Sequence, residues 1–500
     1  MIFDFIFGNP PFQDTENRKK TQHKLWIEFT TKWFSDFLTE EGELIWISPS
    51  SWGSPSNKVL NLFKENDVLQ LSLDIENHFP GIGSTFSFYH IKKSNNNITT
   101  VIKNSENQFA LDVGTSIKYF PNDFCGESIS IHQKVMFQPP RKVSLNYDYV
   151  TCHNVIRHKR KLTLKKITSI EKQLEESVSE KVRQRREKSL LLWRERLHNC
   201  DITLSERPSP DHIYPVFHTN NKIWFSSIKQ SFADKKKVMW SRSGYTKPFY
   251  DDGRYGCTDM GYYILVNNEV EGKRLEAFLK SKLMSYIFKT AKWSGFGNEI
   301  VFSSIPHIDL TVDMSDTDYY ALFSLTAQEV EYLENYSPRK AKKKETPKSE
   351  IRTSQRVKKL GEVFTPVELV REMLDCVAPR HWSDKDKTFI DPACGNGNFI
   401  IEIIKKRVAH GIAPIDALST VYGIDIMEDN VAECKRRILD LASPWAVDIS
   451  MLHGIVNRNI KCADGLGSQP SEWSSPCVTL PQSFNKKGPQ HLACSHQRRN

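Results

Sequence analysis

Thr388-Phe389-Ile390-Asp391-Pro392-Ala393-Cys394-Gly395-Asn396-Gly397-Asn398-Phe399 is the stretch on which the fold turns. Residues 388–390 read as a short buried strand, and Asp391-Pro392 ends it. Gly395 and Gly397 then let the backbone turn tightly and approach a ligand before a helix expected over 399–410, with Gly411 as its stop. Downstream, 421–424 reads as a strand ending at Asp425, 430–441 as a helix, and 459–463 as a last short strand leading to Asp464. Upstream, Gly361-Glu362-Val363-Phe364-Thr365-Pro366 opens a helix, with Thr365 as N-cap, Pro366 at the first helical position and Glu368 completing a capping box. This is a βαβαβ unit of a doubly wound α/β fold, and by itself it leaves a parallel sheet edge open.

The missing edge is expected from the start of the chain. Residues 3–8 form an apolar strand that runs into Asn9-Pro10-Pro11-Phe12, a turn that prevents its continuation. Apolar residues then recur at helical spacing over 24–38 (Trp26, Phe29, Trp33, Phe37), with Gly42 as the expected stop. A strand at 44–47, a helix at 57–65 and strands at 68–75 and 85–91 follow. Neither half closes a domain alone, so the two must pack on one another.

Together the two motifs resemble those of the N6-adenine DNA methyltransferases of restriction-modification systems. In that family an NPPY/F tetrapeptide holds the target base and a DPACGxGxF-like loop holds S-adenosylmethionine (SAM). Here the base-holding half comes first, a circularly permuted order. The resemblance implies an α/β, Rossmann-like SAM-dependent methyltransferase sheet in the strand order 3-2-1-4-5-7-6, assembled from both chain ends, with an inserted α+β target-recognition domain. The expected division is 1–94 for the base-binding half, 95–332 for the target-recognition region with a long exposed helix or helical hairpin at 165–197, 333–360 for a basic linker, 361–467 for the SAM-binding half and 468–500 for an irregular tail.

The same resemblance assigns roles. An exocyclic adenine amine is a poor nucleophile because its lone pair is delocalised into the ring. Two acceptors on its N–H groups, the Asn9 side-chain carbonyl and the Pro10 main-chain carbonyl, favour a nitrogen whose lone pair faces the methyl donor. Pro10 and Pro11 keep the turn rigid, and Phe12 stacks on the base once it is flipped out of the duplex. A partner aromatic is expected within 86–91. For the cofactor, Gly395 and Gly397 cradle the ligand, and Asp391 and Ala393 border it. Phe399 lines the adenine pocket, Asp425 accepts ribose hydroxyls, Asp464 meets the adenine amine, and Thr365 and Pro366 contact the methionine part. Methyl transfer then rests on positioning and electrostatics, with no covalent intermediate. Duplex DNA and a cognate restriction endonuclease are the implied partners.

Composition narrows the class. The chain has 500 residues with 39% hydrophobic content, enough for two or three domains. No apolar run approaches the ~20 residues of a membrane span, and the opening residues lack the basic flank and cleavage site of a signal peptide, so a cytoplasmic location is expected. None of the ten cysteines forms a C-x-x-C pair, which favours reduced thiols and no zinc site, and there is no phosphate-binding GxxxxGK[ST] loop. Of the net charge of +9, residues 337–360 hold ten basic residues against two acids, so the remainder is almost neutral in sum. That stretch reads as a solvated linker able to neutralise phosphates. From about 214 onward aromatics mix with basic residues, densest at Trp240, Arg242, Tyr245, Lys247, Phe249, Tyr250, Arg254 and Tyr255, a pattern that fits DNA contact or one face of a sheet core.

Two other readings stay open. Cytosine-N4 methylation uses the same geometry, though that branch more often has Ser or Asp in place of Asn9. A catalytically inactive DNA-binding specificity protein would share the fold, but both motifs are intact. No paired-carboxylate-plus-lysine nuclease motif stands out, so modification without cleavage is expected.

Overall fold

A computed structural model describes residues 2–12, 25–55, 57–79, 85–96, 98–104, 108–111, 117–123, 125–137, 139–147, 159–175, 180–198, 202–219, 222–242, 246–293, 299–337, 364–445 and 448–467. Most of the basic linker and the irregular tail lie outside these residues. The chain divides into two compact units, the first made of Met1–Trp52, Lys58–Thr115 and Lys342–Asn500, the second of Gly53–Asn57 and Ser116–Ala341.

The first unit is built on one mixed sheet. Its strands in chain order are β1 (Phe3–Gly8), β2 (Leu38–Pro49), β3 (Asp67–Ser72), β4 (Phe86–Lys92), β5 (Thr100–Lys103), β6 (Gln108–Leu111), β7 (Phe389–Asp391), β8 (Val421–Asp425) and β9 (Ile460–Cys462). Across the sheet they run β9-β8-β7-β1-β2-β4-β3-β5-β6. Its first seven strands follow the 3-2-1-4-5-7-6 order, with β4 antiparallel to both its neighbours. The expected boundary at residue 94 cuts through this sheet, because β5 pairs with β3 and extends it.

β1 lies at the centre, parallel to β7 on one side and β2 on the other, so both its faces are covered and it is apolar almost throughout. The helices α1 (Leu25–Lys32), α2 (Lys58–Glu65), α3 (Val367–Asp375), α4 (Asn398–Ala409), α5 (Glu428–Ala442) and α6 (Ile449–Asn459) flank the sheet. One buried cluster joins Phe5, Phe7, Ile45, Ile47 and Phe88 from the early strands to Val370 and Met373 of α3, Ile400 and Ile404 of α4, Ile438 of α5 and Ile455 of α6. The two chain ends therefore share one core.

Their seam is also polar. The Asp4 carboxylate accepts from Lys387 Nζ (2.8 Å), the Thr388 amide (3.0 Å) and the Thr388 hydroxyl (2.9 Å). Burial alone would raise the Asp4 pKa, but these donors more than offset it and hold the carboxyl below its usual range.

Several local expectations are corrected. The first helix passes into a π-turn at Trp33–Phe37 and β2 starts at once with Leu38, so Gly42 lies inside a strand and stops no helix. The entry to β2 is polar and exposed, and Glu41 takes a positive φ of 63° where the β1–β2 register shifts, which disguises the strand as a loop. β3 stops at Ser72, and Ile75 belongs to a 3-10 turn. Thr365 is not an N-cap: Pro366 has ψ 145°, the helix begins at Val367, and no side chain caps it. Pro366 instead lends its carbonyl to the Val370 amide (3.0 Å). Helix α6 fills a stretch with no helix expected from the sequence, and Asp448 caps it by accepting from the Met451 amide (2.9 Å). Among the described residues Cys125, Cys257, Cys376, Cys394 and Cys434 are free thiols.

The second unit holds two four-stranded sheets. One runs Gly256–Cys257, Tyr214–Thr219, Lys222–Ser226, Leu204–Ser205; the other Phe249–Asp251, Lys237–Ser241, Gly261–Leu265, Asn146–Tyr147. The aromatic-basic cluster is divided, with three of its aromatics packed within the unit and Lys247 and Arg254 exposed. Trp240 is fully buried against Phe302, Phe249 packs on Phe217, and the Tyr250 ring fills the space a side chain at Gly272 would take. Tyr245 lies outside the described residues. The segment 165–197 is a hairpin of two helices, Lys159–Glu175 and Glu180–His198, each the other's principal packing partner.

Candidate active site

Parallel strands deliver their C-terminal ends to one edge of the sheet, and the residues that follow them meet there. β7 ends in Asp391, β8 in Asp425, β9 leads to Asp464 and β1 leads to Asn9. β1 and β7 are hydrogen-bonded neighbours, so the Asn-Pro-Pro turn and the glycine loop leave the sheet side by side. The contact is close: a Cβ built on Gly8 would stand 3.1 Å from Asp391 Oδ1 and 2.8 Å from the Trp46 ring.

The loop's glycines have separate reasons. Gly397 adopts φ 89°, in the left-handed region, and a Cβ there would meet Cys434 Sγ at 2.5 Å. Gly395 adopts φ 52°, and its Cβ would meet the Phe364 ring at 2.8 Å. Main-chain bonds close the turn, with the Gly397 amide on the Cys394 carbonyl and the Cys394 amide on the Ile424 carbonyl, both 2.8 Å.

Side chains then fix it from three directions. Asp425 accepts from the Gly395 amide (2.9 Å) with one oxygen and from the Met427 amide (2.8 Å) with the other. Arg437 on α5 donates to the Asn396 carbonyl (2.7 Å) and to Asn398 Oδ1 (2.8 Å). Asn398 passes the link on, donating from Nδ2 to the Thr365 carbonyl (2.8 Å). Thr365 and Pro366 are thereby tied to the loop by main chain. Phe364 stands in the Gly361–Pro366 stretch but receives no role from it, and Arg437 carries no motif signal; it is legible only as one helical step from Cys434, on the face of α5 that meets the loop.

The acids differ in state. Asp391 is fully buried and accepts from the Ala393 amide (3.0 Å); burial pushes its carboxyl up to about 8, and the neighbouring Asp425 charge adds to the effect. Asp464 is exposed in a turn, accepting from the Leu466 amide (2.9 Å). Phe399 is buried beneath the loop, its ring 6.1 Å from that of Phe7.

In the Asn-Pro-Pro turn, Pro10 is buried and Asn9, Pro11 and Phe12 are half-buried. The Phe12 ring leans on Phe86, with centroids 5.1 Å apart and planes at 30°. Phe86 opens β4 opposite Pro49, at the same sheet edge, and is the residue of 86–91 that faces Phe12.

Residues 351–440 match the N-6 DNA Methylase family. The chain is 31% identical over 110 residues to the Type II methyltransferase M.VspI of Vibrio sp. (strain 343), an overlap covering 22% of each. Among solved structures it is similar to the ATP-dependent Type ISP restriction-modification enzyme LlaBIII bound to DNA, at 10% identity and TM-score 0.24 over 53% of this chain and 24% of that one. It is similar also to the Type IIL restriction-modification enzyme MmeI in complex with DNA, at 10% identity and TM-score 0.25 over 54% of this chain and 42% of that one. Scores this low carry no weight, and the family match covers part of the glycine-loop half. Among the described residues no helix is long and apolar enough to cross a membrane.

Proposed function

We propose that this chain is a site-specific DNA methyltransferase that moves a methyl group from SAM to the N6 amine of adenine in duplex DNA, in a restriction-modification system with a companion endonuclease. The observation that carries the reading is the juxtaposition of Asn9 and the Asp391 loop on adjacent parallel strands, at the edge where such sheets bind ligands.

The residues present fit SAM. Gly395 and Gly397 let the loop turn tightly against Phe364 and Cys434, which leaves its main chain bare of side chains at those two positions, and the buried Asp391 carboxyl suits a cationic ligand, since a positive charge beside it favours its ionised form. When bound, SAM supplies a methyl group on a positively charged sulfur that is open to attack from the far side. Asp391 and Ala393 border its methionine part with the main chain of Thr365 and Pro366. Asp425 holds the loop and faces the ribose, Asp464 the adenine amine, and Phe399 supports the pocket from below.

The chain's own part in the chemistry is positioning. Asn9 Oδ1 and the Pro10 carbonyl accept the two N–H groups of the target amine, so that its lone pair is aimed rather than conjugated. Phe12 separates from Phe86 and the base enters between them, Phe86 completing the stack.

The test is transfer of labelled methyl from SAM to unmodified DNA followed by nucleoside analysis, for wild type beside Asn9→Ala. The expected result is N6-methyladenine from wild type and none from the variant. N4-methylcytosine as product, or no transfer by a protein that binds SAM, would overturn the reading.

A further inference from the structure

The near-neutral sum outside the linker conceals a second basic concentration. The hairpin helices Lys159–Glu175 and Glu180–His198 carry thirteen Lys and Arg against five acids, a net of +8. With +8 in 337–360 and +9 overall, the remaining chain is at −7.

The hairpin buries little of this charge. Thr163, Ile167 and Ile170 form the buried stripe of the first helix. Lys165 and Lys172 stand seven residues apart on the opposite side, with Lys166 on the flank, and all three are exposed. On the second helix Arg183, Arg185 and Lys188 are exposed as well. Arg194 is bonded to Glu171 (2.8 Å) and Arg186 to the Gln173 carbonyl, which ties the helices together. Among the described residues the other six cations have no ion pair and no side-chain hydrogen bond. Like charges at this density repel along a helix, so they cost the free protein stability unless a polyanion covers them.

Size selects the polyanion. Helices of 17 and 19 residues span about 26 and 29 Å at 1.5 Å per residue, close to eight base pairs of duplex at 3.4 Å each. We infer that the outer face of this hairpin lies along the sugar–phosphate backbone of duplex DNA and supplies sequence-independent affinity. The inference rests on the DNA-modifying reading above and assigns it a docking surface. An acidic protein is the rival occupant.

The experiment measures affinity of the full chain for a duplex of about 30 base pairs, by fluorescence anisotropy, between about 50 and 200 mM NaCl. Wild type is compared with the combined Lys165→Gln, Lys166→Gln, Lys172→Gln, Lys188→Gln variant and with the same four sites changed to Arg. Gln preserves helix propensity, and circular dichroism checks the fold. The Gln variant is expected to bind more weakly and to lose about 0.9 from the log–log salt slope for each phosphate contact removed, while the Arg variant keeps the slope. SAM affinity, and methyl transfer at saturating DNA and low salt, stay at the wild-type level. An unchanged slope in the Gln variant overturns the inference and leaves an acidic protein as the occupant. Salt-sensitive DNA binding that shifts as expected in a protein that transfers no methyl would leave this surface standing and sink the methyltransferase reading.

Discussion

The glycine loop and the Asn-Pro-Pro turn leave neighbouring strands at the same sheet edge, yet they are made rigid by different means. The loop is held by outside help: Asp425, Arg437 and Asn398 bond its main chain, and two positive-φ glycines let it pass under Cys434 and Phe364. The turn carries two fixed proline φ angles, and its Phe12 ring rests on Phe86. On the function proposed above, a pre-bound cofactor calls for a finished loop, whereas a base that arrives by flipping needs a rigid acceptor pair beside a movable ring. The contrast predicts that damage on the two sides separates kinetically.

The largest separation is expected from Asn9→Ala, which should lower kcat by roughly 10² to 10³, the size of losing an acceptor aimed at the reacting group. SAM affinity by calorimetry should stay unchanged; a parallel fall in affinity would erase the contrast. Gly397→Ala is expected to do the reverse, weakening SAM binding by about tenfold or more, because alanine must adopt φ 89° with its Cβ against Cys434 Sγ. Arg437→Met removes a donor shared by Asn396 and Asn398, and KM for SAM should rise by about five- to tenfold with kcat nearly constant.

Two carboxyls near the junction of the halves should respond to pH with opposite sign. Asp391 is raised, to about 8, so its stabilising neutral form is fully present below the unfolded value near 3.8 and is lost as pH rises through about 8. Asp391→Asn should therefore lose less Tm than wild type between pH 5 and 8.5. Asp4 is held low, so its contribution exists above the unfolded value and fades as pH falls through the folded one. Asp4→Asn should lower Tm at pH 7 and cost nothing near pH 2. The smallest effect belongs to Thr365→Ala: the side chain caps no helix, so only truncation of a buried side chain remains, expected at about 1 kcal/mol by denaturant titration.

Much of the sheet is legible in the sequence, since β1, β7 and β8 are short apolar runs punctuated by Pro, Gly or Asp, and helical spacing marks α4 and α5. The motifs also identify the residues that share the edge. Legibility fails where neighbours decide. The polar start of β2 is a strand only because β1 and β4 pair with it, and β5 exists as an extension of β3. Thr365 and Pro366 look like a helix start, but proline's extended ψ moves that start to Val367. The clamp formed by Arg437 depends on a face of α5 that periodicity cannot connect to a loop thirty-nine residues earlier. Trp240 satisfies a DNA-contact pattern and a core pattern equally well, and burial decides for the core.

The central position of β1 has a consequence on the ribosome. Asp4 and Thr388 bond across a separation of 384 residues, and β1 cannot be flanked on both sides until β7 has been made. At synthesis rates of about 5 to 20 residues per second, that interval is roughly 20 to 80 seconds. Throughout it the future middle of the sheet is an exposed edge, ready to pair with any other strand within reach. The Asn-Pro-Pro strand thus waits open on one side until the glycine-loop strand emerges to close it.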